Sequence, residues 1–77
     1  MPVTLKKGQK HTFNGPQGDY VTVTNENGDQ GSFEFSYSSG KSQSFTIGGY
    51  ATKNETPKEW PVTVTNTGNP TLSVGVD

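Results

Sequence analysis

Apolar and polar residues alternate along most of the chain, and no segment repeats apolar residues at helical spacing. The clearest stretch is residues 32–37, in which Phe33, Phe35 and Tyr37 alternate with Ser, Glu and Ser. Such alternation is typical of a β-strand with one face buried and one face in solvent. The pattern predicts seven short strands, at about residues 3–5, 11–13, 20–25, 32–37, 45–47, 62–65 and 72–76.

Clusters of Gly, Asn, Ser and Pro separate these strands and predict turns at residues 15–18 and 38–40. Asn27-Gly28 is the strongest hairpin signal, because both residues tolerate positive φ. Alternation is lost between Tyr50 and Trp60, where two X-Pro steps would interrupt a ladder of hydrogen bonds. We therefore expect one long irregular connection in that segment.

One short pattern occurs twice. Tyr20-Val-Thr-Val-Thr-Asn25 recurs as Trp60-Pro-Val-Thr-Val-Thr-Asn66, and a Gly/Asn turn and an alternating strand follow each copy. The repetition is open to two interpretations. Either it marks a duplicated unit with pseudo-symmetry, or the alternation of Val and Thr is simply common in half-buried strands.

The stretch from Val62 to Asn69 resembles a strand and turn of bacterial immunoglobulin-like domains, and Leu5-Lys-Lys-Gly-Gln9 resembles one of their turns. The resemblance covers about a dozen residues, implies a sandwich and assigns no functional residue. We therefore predict a single all-β domain over residues 1–77. Its expected fold is a small antiparallel β-sandwich, immunoglobulin-like or a related Greek key, with a small β-barrel as the alternative.

Composition makes the expected core small. Only 26% of the 77 residues are hydrophobic, and the chain has no cysteine for a disulfide or a reactive thiol. A domain of this size rarely obtains more than ~3–5 kcal/mol from its core. Burial against other copies is the remaining source of stability, so we expect a homo-oligomer.

Charge and hydropathy narrow the range of partners. The chain has six lysines, no arginine and a net charge of -1, which argues against nucleic-acid binding. No apolar run has the length of a membrane span, and no signal peptide precedes the first strand. This predicts a cytoplasmic protein, unless a leader was removed or export is unconventional.

No catalytic motif is present. His11, the only histidine, alternates with Phe13 as an ordinary strand residue would, and no nucleophile elbow or phosphate-binding loop occurs. We therefore predict no enzyme activity and no cofactor. The oxygen-rich residues 25–29 suit either a plain hairpin turn or a weak calcium site, although the bidentate Glu of an EF-hand loop is missing.

The segment from Tyr50 to Trp60 is the candidate binding site. An exposed aromatic ring can stack on the C–H face of a sugar while amides and carboxylates bind its hydroxyls. Trp60 has two interpretations: its ring is exposed and stacks on a sugar, or it fills one end of the core. The sequence predicts a multimeric, lectin-like module with a glycan ligand; the alternative is an assembly subunit of a coat or appendage. The predicted site residues are Tyr50, Asn54, Glu55, Glu59 and Trp60.

Overall fold

Eight β-strands form in residues 2–14 and 20–76, the part of the chain that a computed structural model describes. The turn expected at residues 15–18 lies outside the described residues. No helix in the described part is long and apolar enough to cross a membrane. The strands are β1 (Val3–Leu5), β2 (Lys10–Phe13), β3 (Val21–Asn25), β4 (Gly31–Tyr37), β5 (Ser42–Ile47), β6 (Thr52–Glu55), β7 (Val62–Asn66) and β8 (Leu72–Val76).

The strands form two four-stranded antiparallel sheets. The first has the order β1-β8-β3-β6 and the second has the order β2-β7-β4-β5. The predicted antiparallel sandwich is confirmed, and the sheets do not close into a barrel. Eight strands connected in this order make a double Greek key, the jelly roll, rather than the seven-stranded immunoglobulin arrangement.

The core lies between the two sheets, as the alternation predicts. Phe33 and Phe35 are fully buried, and the half-buried ring of Phe45 stacks on Phe33 with 5.0 Å between centroids. Each buried side chain of this kind contributes about 1.5–3 kcal/mol. The other buried apolar residues are Leu5, Phe13, Val21, Val23, Tyr37, Ile47, Val62, Val64, Leu72 and Val74.

The hairpin predicted at Asn27-Gly28 is wrong. β3 belongs to the first sheet and β4 to the second, so the chain crosses between sheets at this turn. The crossing places the apolar faces of both strands against one core, and β3 pairs with β6 and β8 instead. The sequential hairpin is β4–β5, whose turn has Gly40 at a φ of 92° and a hydrogen bond from the Gly40 N–H to the Tyr37 carbonyl.

The irregular connection predicted between Tyr50 and Trp60 is also wrong in part, because it contains β6. This edge strand pairs with β3 along four residues, with Asn54 opposite Thr22. Its half-buried positions are Lys53 and Glu55, at the rim of the sandwich. Backbone hydrogen bonds therefore build the strand without the apolar alternation that would reveal it.

The two halves of the chain have the same strand connectivity, which is a pseudo-twofold relation at the level of topology. Exchanging β1–β4 with β5–β8 converts the strand order of one sheet into that of the other. β3 and β7, which carry the repeated Val-Thr-Val-Thr-Asn pattern, are equivalent under this exchange. The pattern therefore occupies matching places, which favours the pseudo-symmetric interpretation.

The matching extends to individual hydrogen bonds. The amides of Asn25 and Asn66 are fully buried, and each donates to the carbonyl four residues further on, at 2.7 Å and 2.8 Å. Each Oδ1 accepts the backbone N–H two residues further on, at 3.0 Å. Both side chains thus close the turn that carries the chain from one sheet to the other.

Candidate functional site

The five predicted site residues do not form one site. Tyr50 lies in the turn between β5 and β6, whereas Asn54 and Glu55 belong to β6. Glu59 and Trp60 follow in the segment that leads into β7. Because a strand rises about 3.3 Å per residue, Tyr50 is separated from Glu55 by roughly 16 Å along the chain.

Trp60 is half-buried and packs against the hydrophobic core. The ring therefore contributes to the fold at one end of the sandwich, as the second interpretation of this residue proposes. Tyr50 is the large aromatic residue that the described structure leaves in solvent, with 77% of its surface exposed. The exposed aromatic ring therefore lies just before the start of β6, and the half-buried Trp60 follows the end of that strand.

Glu59 lines a groove of about 470 Å³ near the β4–β5 turn. Its Oε2 accepts a hydrogen bond from the Ser39 hydroxyl at 3.1 Å. The Tyr37 hydroxyl donates to Oε1 of Gln43 at 2.6 Å and accepts the Lys58 N–H at 3.2 Å. These bonds hold the segment after β6 against the hairpin, so they have a clear structural role.

The backbone holds Tyr50 in an unusual conformation. Its φ is 58°, in the left-handed region, and its N–H donates to the Asn27 carbonyl at 2.9 Å. The ring lies close to Gly28, where an added Cβ would be 3.3 Å from the ring edge. Gly49 lies so close to Gly28 that its own added Cβ would overlap the Gly28 carbonyl. The turn that presents Tyr50 is therefore packed directly on the β3–β4 turn.

A polar cleft of about 270 Å³ opens beside this pair of turns. Glu26 and Asn27 of the β3–β4 turn contribute a carboxylate and an amide. β8 and the residue before it, together with β1, contribute hydroxyl groups. The lining residues are Thr4, Glu26, Asn27, Thr71, Leu72 and Ser73.

The outer face of the β1-β8-β3-β6 sheet continues from this cleft. Cross-strand pairing places Thr4, Ser73, Thr24 and Thr52 in one row across all four strands. Gly75, Thr22 and Asn54 form a second row beside it. These seven positions carry no charge. The Thr22 hydroxyl oxygen is buried, so the polar side-chain groups at this surface are the hydroxyls of the first row and the amide of Asn54.

Sequence reasoning missed the cleft because its residues are far apart along the chain. Glu26 and Asn27 were visible only as part of a turn, and their nearness to β1 and β8 depends on the jelly-roll connectivity. A signal for Tyr50 did exist in the sequence. The turn Lys6–Gln9 has a glycine at the position where Gly48–Ala51 has Tyr50.

Among residues 25–29, suggested for calcium, the Asn25 side chain is engaged within the fold. The Asn25 amide donates to the carbonyls of Asp29 and Gly48, and its Oδ1 accepts the Asn27 N–H. Its side chain therefore closes the turn and has no free oxygen directed at solvent. Within residues 2–14 and 20–76, no three His, Asp or Glu side chains are grouped so that they could hold a metal ion.

Comparison of this chain with protein-family models, curated proteins and solved structures finds no match. The jelly-roll fold hosts both lectins and capsid proteins, so architecture does not choose between them. The Tyr50 turn and the cleft beside it are the features of this chain that bear on function.

Proposed function

We propose that this protein is a non-enzymatic, lectin-like binding module that binds an uncharged sugar with Tyr50 and the neighbouring cleft. The observation that carries the proposal is a strained, exposed aromatic residue. Tyr50 has a φ of 58° and is 77% exposed. Strain in the backbone of a residue of this kind is a recognised sign of a functional position.

A second turn of the molecule, equivalent to the one that carries Tyr50, provides a comparison for this backbone strain. The turns Lys6–Gln9 and Gly48–Ala51 are equivalent under the pseudo-twofold, and each is closed by an N–H to C=O bond between its fourth and first residues, at 2.9 Å and 3.2 Å. The third residue is Gly8 in one turn, at a φ of 83°, and Tyr50 in the other. Glycine adopts this conformation freely, whereas a residue with a side chain loses about 1–2 kcal/mol.

Burial does not repay this cost, because most of the Tyr50 ring is in solvent. We infer that the ring is present for a contact outside the chain. Tyr50 packs on the turn that carries Glu26 and Asn27, so a sugar ring stacked on Tyr50 would lie beside the turn whose side chains line the cleft. Glu26 and Asn27 would bind hydroxyls through charge-assisted and amide hydrogen bonds. The uncharged outer face of the sheet suits a neutral ligand.

The proposal keeps Tyr50 from the sequence-predicted site and adds Glu26 and Asn27. Weak sugar sites gain avidity when several are joined, so a multimer remains part of the proposed mode of action. A second candidate function, an assembly subunit that works through contacts between copies, is favoured by one observation. The edge strand β5 has no charged residue.

The test compares two substitutions of one residue. Tyr50→Gly is expected to weaken the binding of a glycan identified on an array by at least about fivefold, because stacking contributes ~1 kcal/mol or more. The same change should leave the free energy of unfolding unchanged or raise it by up to ~1 kcal/mol, since the backbone strain is relieved. Tyr50→Phe should retain most of the binding. Calorimetry measures the affinity, and urea unfolding measures the stability.

The mirror substitution is the matched control. Gly8→Tyr places the same ring in the equivalent turn, where an added Cβ meets no atom within 4 Å. It should lower the free energy of unfolding by about 1–2 kcal/mol and add no sugar binding. The proposal fails if the unmodified protein binds no glycan, or if Tyr50→Gly binds as tightly as the unmodified chain.

A further inference from the structure

The four edge strands of the described structure differ sharply in how they are protected. β1 has only three residues, β2 begins with Lys10, and β6 carries Lys53 and Glu55. β5 has six residues, Ser-Gln-Ser-Phe-Thr-Ile, with no charge and no proline. Short strands, lysines and prolines are the usual protection of a sheet edge against pairing. β5 is therefore the least protected edge.

The free backbone groups of β5 can be assigned. The Lys41 carbonyl accepts the Tyr37 N–H, so the backbone of residue 41 faces β4. The Thr46 carbonyl faces away from β4 and accepts a hydrogen bond from Lys53 Nζ at 3.2 Å. Because the backbone direction alternates along a strand, Ser42 and Ser44 also direct both N–H and C=O away from β4. Lys53 covers one end of the edge and leaves these two residues open.

We propose that two copies of this chain associate through β5, edge to edge and antiparallel, with Ser42 of each copy opposite Ser44 of the other. This register is self-complementary about Gln43, as a twofold dimer requires. Each Ser42–Ser44 pair exchanges two N–H···O=C bonds, so the dimer gains four. The two β2-β7-β4-β5 sheets would then form one continuous eight-stranded sheet.

A second copy of the chain suits this edge for three reasons. The register uses the two residues that Lys53 leaves open and does not require its removal from Thr46. It places Lys41 opposite Phe45 of the other copy, so lysines do not face one another. The net charge of -1 produces little repulsion between copies, and a chain that is 26% hydrophobic benefits from further burial.

The dimer contact is separate from the proposed sugar site, although a dimer would supply the multimer that avidity requires. The Tyr50 turn follows the Ile47 end of β5, whereas the proposed contact is centred at the other end, on Gln43. Association would leave both Tyr50 turns in solvent at opposite ends of the joined edge. Sugar binding and dimerisation can therefore succeed or fail separately.

Sedimentation equilibrium of Ser44→Pro provides the first test. Proline lacks the N–H that the proposed dimer needs, and in the monomer that N–H faces away from β4, so no ladder bond within the chain is lost. We expect the dissociation constant of the dimer to rise by at least about a hundredfold, because the substitution removes the Ser44 N–H donor in both copies and disturbs the pairing of the strands. Ser44→Ala, which keeps the backbone, should dimerise like the unmodified protein.

A charge-swap pair tests the register and does not depend on proline. Ser42→Glu/Ser44→Lys places opposite charges across both pairs and should dimerise at least as strongly as the unmodified chain. Ser42→Lys/Ser44→Lys places like charges across both and should be monomeric. Both double variants have lysine at position 44, opposite Glu34 of β4, so the contact of residue 44 within the chain is the same in both.

Amide hydrogen exchange provides the residue-level readout. The Ser42 and Ser44 amides should become protected as the protein concentration rises, and should stay unprotected in Ser42→Lys/Ser44→Lys. The proposal is overturned if the unmodified protein stays monomeric at millimolar concentration. Equal dimerisation of the two charge variants, or a dimer in which these two amides exchange freely, would overturn it as well.

Discussion

Asn66→Ala is expected to lower the free energy of unfolding by about 3 kcal/mol, because it removes three hydrogen bonds worth about 1 kcal/mol each. The buried amide donates to the carbonyls of Leu5 and Pro70, both at 2.8 Å, and its Oδ1 accepts the Gly68 N–H at 3.0 Å. These bonds connect the β7–β8 turn to the end of β1. A domain with a core worth only ~3–5 kcal/mol would lose most of its stability.

Urea unfolding followed by circular dichroism measures this loss. Asn69→Ala is the control, since Asn69 lies exposed in the same turn and its change should fall within about 0.5 kcal/mol of zero. Asn25→Ala should cost less than Asn66→Ala, because the hydrogen bond from the Asn25 amide to the Gly48 carbonyl is longer, at 3.2 Å, than either bond that the Asn66 amide donates. Equal stability of Asn66→Ala and the unmodified chain would contradict the assigned role.

Gly49→Ala is the second substitution with a large expected effect. An added Cβ at this position would overlap the Gly28 carbonyl and lie 3.0 Å from the Gly28 Cα, and backbone atoms cannot move aside as a flexible side chain can. The two turns must separate, which we expect to cost about 3 kcal/mol. Because Tyr50 is adjacent and its ring lies against Gly28, any sugar binding should be lost along with the stability.

The neighbouring glycine supplies the control for this prediction. An added Cβ at Gly48 would lie 4.0 Å from the Ala51 Cβ, which is an ordinary contact. Gly48→Ala should therefore change the free energy of unfolding by no more than about 0.5 kcal/mol. Thermal unfolding of the two variants side by side distinguishes close packing of the turns from a general effect of replacing glycine. Similar melting temperatures would show that the contact between the turns is not required.

The pseudo-symmetry allows each tested residue to be compared with the residue at the equivalent position in the other half. Asn25 and Asn66 perform the same task in the two halves, whereas Gly8 and Tyr50 occupy the same backbone position with different side chains. What the halves share is required by the fold. Tyr50, which differs from its counterpart Gly8, carries backbone strain and is therefore the candidate functional position.

Local pattern predicted the strands that contribute to the core. In β3, β4, β7 and β8, the apolar positions predicted to face inward are buried, except for the partly buried Val76 at the end of β8. The pattern failed for β6, because Lys53 and Glu55 lie at the rim, where a strand needs no apolar side chains. It also failed at Asn27-Gly28, because a turn sequence specifies local φ and ψ but not whether the next strand pairs or crosses the core.

The candidate site was harder to predict than the fold. Tyr50 was identified as an aromatic residue at the start of the segment, and it is exposed. Trp60 was grouped with it because the two residues flank the same segment, yet β6 separates them and Trp60 packs against the core. Glu26 and Thr71 meet at one cleft only because β3 and β8 are neighbours in the same sheet.

The sequence by itself determined that this chain forms short antiparallel strands around a small apolar core, because side-chain alternation and burial act over a few residues. It also held the repeated Val-Thr-Val-Thr-Asn pattern, without showing what the two asparagines do. Tertiary structure alone decided the pairing of strands, the burial of Asn25 and Asn66, the exposure of Tyr50 and the open edge of β5. These features arise from contacts between residues far apart in the chain, and no local pattern encodes which distant strand will become a neighbour.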